Sequence, residues 1–149
     1  MKAIITVGVS GSGKSTFAKE LCEKDNSFSE VNRDEIRAGL YGDHYKQNSS
    51  SEKVVSEYQK NSLRMLSYTG ANVVVSDTNL NPTYRQGLIS YLEGLGYEVE
   101  IKNMCIDYEK AWKQNENRVK NVPLSVFNRQ WKMWIEYLKS IGEHYHYVP

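Results

Sequence analysis

The sequence predicts an α/β fold: one three-layer domain over residues 1–149, with a mainly parallel sheet of about four strands. Three observations carry that expectation. Segments rich in β-branched residues alternate with helical patterns along the chain, the run Val73-Val74-Val75 marks a strand without a polar face, and a Gly/Ser-rich loop joins the first strand to the first helix. Strands separated by helices pair in parallel, because each crossover returns the chain to the same end of the sheet.

The first strand is Ala3-Ile4-Ile5-Thr6-Val7, followed by the Gly/Ser loop and a helix through Phe17, Ala18 and Leu21. A short strand is predicted near Phe28 to Val31, then a helix from Asp34 to Leu40. Asn32 or Arg33 stands at its mouth, and Asp34 and Glu35 lie in its first turn, where acids complement the positive end of the helix. Tyr41 to Ser51 is polar, with Gly42 and three consecutive serines, and reads as a mobile connection. A helix follows to Tyr68, with Val55, Tyr58, Leu63 and Leu66 as its apolar positions and Gly70 where a C-cap belongs. Asn72 to Ser76 is a buried central strand ending at Asp77, and Pro82 suits the first position of a helix running to Gly94 or Gly96. Tyr97 to Met104 is a fourth strand; helices over Tyr108 to Val119 and Pro123 to Ile141 precede the tail 143–149.

Composition narrows the function classes. With 40% hydrophobic and 25% charged residues in 149, the chain has the composition of a folded globular domain, and a disulfide scaffold, a peptide hormone and a disordered chain are excluded. Its longest apolar runs fall far short of the ~18–20 residues of a membrane span, and Met1-Lys2-Ala3-Ile4 opens no signal peptide, which points to a soluble cytoplasmic protein without membrane partners. Cys22 and Cys105 stand apart from any ligand spacing and are expected to be small buried hydrophobes. A net charge of +1 argues against a surface built for non-specific duplex binding, while leaving room for a short nucleic-acid end in a local groove. Between Glu109 and Lys139 seven Lys or Arg face three Glu, making that segment the natural place for phosphates.

Gly8-Val9-Ser10-Gly11-Ser12-Gly13-Lys14-Ser15 satisfies G-x-x-x-x-G-K-[ST] between a predicted strand and a predicted helix. Backbone N–H groups of Gly11, Ser12 and Gly13 wrap a phosphate, and the helix start adds its dipole. Lys14 then spans the β- and γ-phosphates of ATP, the Ser15 hydroxyl ligates Mg²⁺, and Thr16 is a helix residue near the α-phosphate. The acceptor of the phosphate belongs beyond the carboxyl ends of the strands. After the second strand, Asp34 and Arg37 at i, i+3 face one space, a carboxylate beside a cation that suits a general base near an anionic acceptor. After the third, Asp77 takes a Walker-B-like position, followed by Thr78 and Asn79. Arg118, in Asn115-Glu116-Asn117-Arg118 on a predicted helix, can stabilise charge on the transferring phosphoryl group.

In order and spacing, GVSGSGKSTFAKE, VNRDEIR, VVVSDTNLNP with Arg85 shortly after, and NENR followed by VP resemble the kinase domain of the bacteriophage polynucleotide 5′-hydroxyl kinase family. The resemblance covers nearly the whole chain except Tyr41 to Tyr68, which carries none of its motifs. It implies that Lys14 and Ser15 hold ATP, that Asp34 is the general base and that Arg37 binds the acceptor beside its scissile end. It further implies a supporting role for Asp77, a lid arginine in Arg118, and Thr78 and Val122 near the acceptor nucleotide. The implied activity is transfer of the γ-phosphate of ATP to the 5′-OH end of DNA or RNA, with low sequence specificity, in the cytoplasm of an infected host cell if the gene belongs to a phage. Gln114 stands where a second basic lid residue is expected, and the stretch from Arg118 to Val122 is one residue shorter than the family pattern. The chain ends at Pro149 without a DxDx[TV] motif, so no phosphatase domain is expected.

Two other readings compete: a P-loop kinase for a small metabolite or nucleoside, of gluconate or shikimate type, and a nucleotide-dependent switch or motor. The switch needs a water-positioning Glu or Gln beside Asp77, where Thr78 and Asn79 stand. His144 and His146 lack further ligands for zinc, and Trp112, Trp131 and Trp134 are expected to pack in the core.

Overall fold

The structure, a computed structural model, describes residues 1–42 and 47–142. Strands and helices alternate as β1 (Lys2–Val7), α1 (Lys14–Lys24), β2 (Phe28–Val31), α2 (Arg33–Tyr41), α3 (Ser49–Tyr68), β3 (Asn72–Val75), α4 (Pro82–Gly94), β4 (Glu98–Asn103), α5 (Tyr108–Glu116) and α6 (Leu124–Ser140). The sheet order is β2-β3-β1-β4 and every pairing is parallel, with Ile5 opposite both Val75 and Ile101. All four carboxyl ends therefore lie along one rim.

Period-two alternation divides the strand side chains between two layers. Ala3, Ile5, Val73 and Val75 join Leu63 of α3 and Leu88 and Leu92 of α4, whereas Ile4 and Val74 join Ala18 of α1. The three consecutive valines thus serve both faces, as the sequence predicts. A third cluster gathers Val7 and Val9 with Ala111 and the buried aromatic face of α6, Phe127, Trp131, Trp134 and Tyr137. Trp131 and Trp134 are core residues, as expected. Trp134→Ala should destabilise the fold by about 3–5 kcal/mol, the cost of emptying a fully buried indole site, measured by chemical denaturation.

Three readings need correction. The consecutive serines are the first turn of α3 rather than a connection: Asn48 caps the helix, accepting from Ser51 N–H, while the Ser51 hydroxyl takes the N–H of Asn48. Within α3 the inward position belongs to Gln59, 2% exposed, and Tyr58 points out at 51%. Cys105 is exposed and Cys22 half-buried, both as free thiols. Gly70 does end α3 as read, at φ 75°, with the Gly70 and Ala71 N–H groups returning to the carbonyls of Ser67 and Leu66. Tyrosine hydroxyls clip elements together: Tyr97 to Ala71, Tyr91 to Lys60, Tyr137 to Asn103. Among the described residues no helix is long and apolar enough to cross a membrane. His144 and His146 lie outside the described residues.

Candidate active site

From the end of β1 the chain turns through Gly11 and Gly13, at φ 80° and 95°, backbone that other residues rarely adopt. Gly13 enters α1 without a side-chain cap, so the first N–H groups of the helix have no intrahelical acceptor and form an anion cradle. The loop is held from three sides. Gly8 N–H donates to the Thr78 carbonyl at 3.1 Å, Ser12 N–H to that of Val9 at 3.2 Å, and Ser10 N–H to Gln130 Oε1 of α6 at 2.8 Å.

Lys14 is 8% exposed, with Nζ donating to the Val9 carbonyl at 2.6 Å and to Ser12 Oγ at 3.4 Å. Burial, reinforced by the charge of Arg118, pushes this ammonium down to about 7, while Asp77 and Asp34 act in the opposite sense. An ammonium so placed attracts a polyanion. Ser15 and Thr16 are exposed on the first turn of α1. Among the described residues no three His, Cys, Asp or Glu side chains are placed to hold a metal.

Arg118 lies in the turn beyond α5 rather than on a helix, because Asn115 binds both backbone groups of Val122 and folds the chain back. The same Asn115 Oδ1 accepts from Ser10 Oγ at 2.7 Å, and Arg118 Nη1 donates to Ser10 Oγ at 2.7 Å. Arg118 is thus docked on the Gly/Ser loop.

On the other side, Asn32 caps α2 by accepting from Glu35 N–H at 3.0 Å, which sets Asp34 and Arg37 on the first turns beside the rim. Arg37 Nη1 bonds Asp34 Oδ1 at 2.5 Å; the Asp34 side chain is 58% exposed and that of Arg37 only 12%. Asp77 accepts from Arg33 N–H at 2.8 Å and from Gln59 Nε2 at 2.7 Å, and burial raises its carboxyl to about 6 despite these bonds. Thr78 contributes through its carbonyl on Gly8, and the backbone of Val122 through Asn115.

Sequence reasoning missed the polar face of α3. Glu52 accepts from Arg37 and Arg33, Ser56 from Arg33, and Gln59 receives the Tyr84 hydroxyl at 2.7 Å while bonding Asp77. Together they form one hydrogen-bonded line from Asp77 through Gln59, Tyr84, Arg33, Glu52 and Arg37 to Asp34. The available signal was Gln59, a polar residue in the stripe with Val55 and Leu63.

A model of the AAA domain matches residues 4–138. The chain belongs to the AAA domain family. A protein of Autographa californica nuclear polyhedrosis virus, provisionally named bifunctional polynucleotide kinase/RNA ligase, is 29% identical to this AAA domain over 98% of the chain and 22% of its own length. A chain from the structure of the Pnkp1/Rnl/Hen1 RNA repair complex superposes with a TM-score of 0.84 at 24% identity, over 94% of this chain and 45% of that one. A gluconokinase from Sinorhizobium meliloti 1021 gives a TM-score of 0.60 at 19% identity, over 89% and 74% of the two chains. The fold is the parallel α/β fold of P-loop kinases. The domain spans less than half of the chain it matches in the repair complex and 22% of the viral relative.

Proposed function

We propose that this AAA domain is an ATP-dependent polynucleotide 5′-hydroxyl kinase. The observation that carries the reading is that Lys14 and Arg118 both dock on the Gly/Ser loop, through Val9 and Ser12 and through Ser10, while a hydrogen-bonded line runs along the same rim from Asp77 to Asp34. A phosphate cradle, a lid cation and an accessible carboxylate then share one space, which suits in-line transfer. The viral relative's name and the ordered motifs around Asp34 and Asp77 support a nucleic-acid end as acceptor.

Asp34 accepts the proton of the attacking 5′-hydroxyl, and Arg37 holds the acceptor through a phosphate without reading a base. Gly11, Ser12 and Gly13 bind the donor phosphates by their N–H groups, with Thr16 beside them, and Lys14 and Arg118 take up charge on the transferring group. When bound, Mg²⁺ neutralises donor phosphate charge, and the Ser15 hydroxyl is the ligand this chain offers it. Asp77, Thr78 and Val122 line the approach of the acceptor. The start of α1, which no side chain caps, and the buried Lys14 fit a polyphosphate donor.

A Cβ on Gly11 would lie 2.2 Å from the Ala111 carbonyl oxygen and 2.7 Å from Asn115 N, at a φ of 80°. Gly11→Ala should therefore weaken ADP binding about tenfold or more, in keeping with ~1–3 kcal/mol of backbone strain, as read by calorimetric titration. A gluconokinase shares the fold, so the acceptor is tested by coupled ADP release with a 5′-hydroxyl oligonucleotide, a nucleoside, gluconate and water alone. Release stimulated only by the oligonucleotide is the expected result; stimulation by gluconate or the nucleoside instead would assign a small-molecule kinase.

A further inference from the structure

Across from Asp34, the carboxylate of Glu52 on α3 meets Arg37 side-on: Nε donates to Oε1 at 2.7 Å and Nη2 to Oε2 at 3.0 Å. Arg33 Nη2 reaches the same Oε2 at 2.7 Å. One carboxylate thus separates two guanidiniums that would otherwise repel across a half-buried space. Bidentate arginine pairing fixes the guanidinium plane as well as its position, which a lone ion pair does not.

Of the five N–H donors of a guanidinium, three on Arg37 have partners among the described residues, two on Glu52 and one on Asp34. Two remain for an incoming phosphate. Arg37 at the same time bonds Asp34 through Nη1, and the Asp34 side chain stays largely open to solvent. Glu52 itself is held ionised, its carboxyl pushed below the usual range by the Arg37 hydrogen bonds.

We propose that Glu52 is the positioning residue of the acceptor site, acting through Arg37: it clamps the guanidinium side-on, so that Arg37 presents its remaining donors to the acceptor phosphate while holding Asp34 in place. This rests on the reading of the acceptor as a 5′-hydroxyl strand. Ser56 and Gln59 extend the clamp along α3 by fixing Arg33 and Asp77.

The test compares the wild type with Glu52→Gln, Glu52→Ala, Arg37→Ala and the double variant Glu52→Gln/Arg37→Ala, with Glu57→Gln as an exposed control on the same helix. Initial rates of 5′-end labelling are followed against oligonucleotide concentration, and ATP affinity is titrated separately. Expected for Glu52→Gln and Glu52→Ala is a fall of about 100-fold in kcat/KM for the oligonucleotide, as misplacement by about 1 Å produces, with ATP affinity near wild type and a lower Tm, because Arg33 and Arg37 lose their shared counter-charge. In the Arg37→Ala background the further loss from Glu52→Gln should be less than about threefold, because the two act as a unit. If the wild type labels the strand and Glu52→Gln labels it equally well, the assignment of Glu52 fails while the kinase reading stands. Loss of ATP affinity in parallel with oligonucleotide turnover would give Glu52 a purely structural role and also overturn it. A wild type that labels no 5′-hydroxyl strand would instead remove the kinase reading on which the proposal depends.

Discussion

Asp34→Asn is expected to lower kcat for 5′-end transfer by about 10²–10⁴-fold, the range supplied by a positioned general base, while leaving ATP affinity unchanged. The substitution keeps the side-chain shape and an oxygen for the Arg37 Nη1 bond, now 2.5 Å long, but removes the ability to accept a proton. Asp34 lies on the first turn of α2 with its side chain 58% exposed, so the fold should barely respond, and thermal unfolding should match the wild type within about 0.5 kcal/mol. Single-turnover rates with saturating ATP and oligonucleotide would measure the effect. Transfer within a factor of three of wild type would mean that the proton leaves by another route and that Asp34 only shapes the site.

Lys14→Met should abolish measurable transfer and weaken ATP binding by about 100-fold, since a charged hydrogen bond to phosphate contributes ~1.5–3 kcal/mol. The sign of its stability effect is opposite. Burial lowers the Lys14 ammonium from 10.5 to about 7, so below pH 10.5 the folded state carries a cost for this charge that the unfolded chain does not, and the cost is complete below pH 7. Removing the amine should therefore raise Tm at neutral pH. The same shift predicts proton uptake. At pH 8 most of the empty site holds neutral Lys14, and a bound polyphosphate restores its charge, so binding should take up close to one proton, falling toward none at pH 6. Calorimetry in buffers of different ionisation enthalpy reads this directly, and Lys14→Met should remove it.

What could be read from the sequence was what local chemistry encodes. The Gly/Ser loop, the strand Val73 to Val75, the cap of α2 and the first-turn Asp34 depend on neighbours a few residues away, and each stands where the sequence predicts it, with Asn32 the cap of the two residues expected at the mouth of α2. The face of α3 depends on distant partners: Glu52 meets arginines 15 and 19 positions earlier, and Gln59 meets Asp77 18 positions later. Counting apolar spacing alone put Tyr58 inward, because periodicity does not register a buried amide whose hydrogen bonds all lie on other elements. Arg118 fell off its predicted helix for a similar reason, since the bonds between Asn115 and Val122 that end α5 are tertiary in effect although local in sequence.

On the proposed function, the γ-phosphate of ATP goes to a 5′-hydroxyl end. Incubation with γ-labelled ATP, Mg²⁺ and paired oligonucleotides that differ only in a 5′-hydroxyl or a 5′-phosphate separates this acceptor from the others. Label on the 5′-hydroxyl strand alone, recovered on its first nucleotide after digestion, is the predicted result. ATP hydrolysed without label on either strand, or label carried by a small acceptor instead, would rule out a polynucleotide acceptor and leave a phosphate-binding domain with another task.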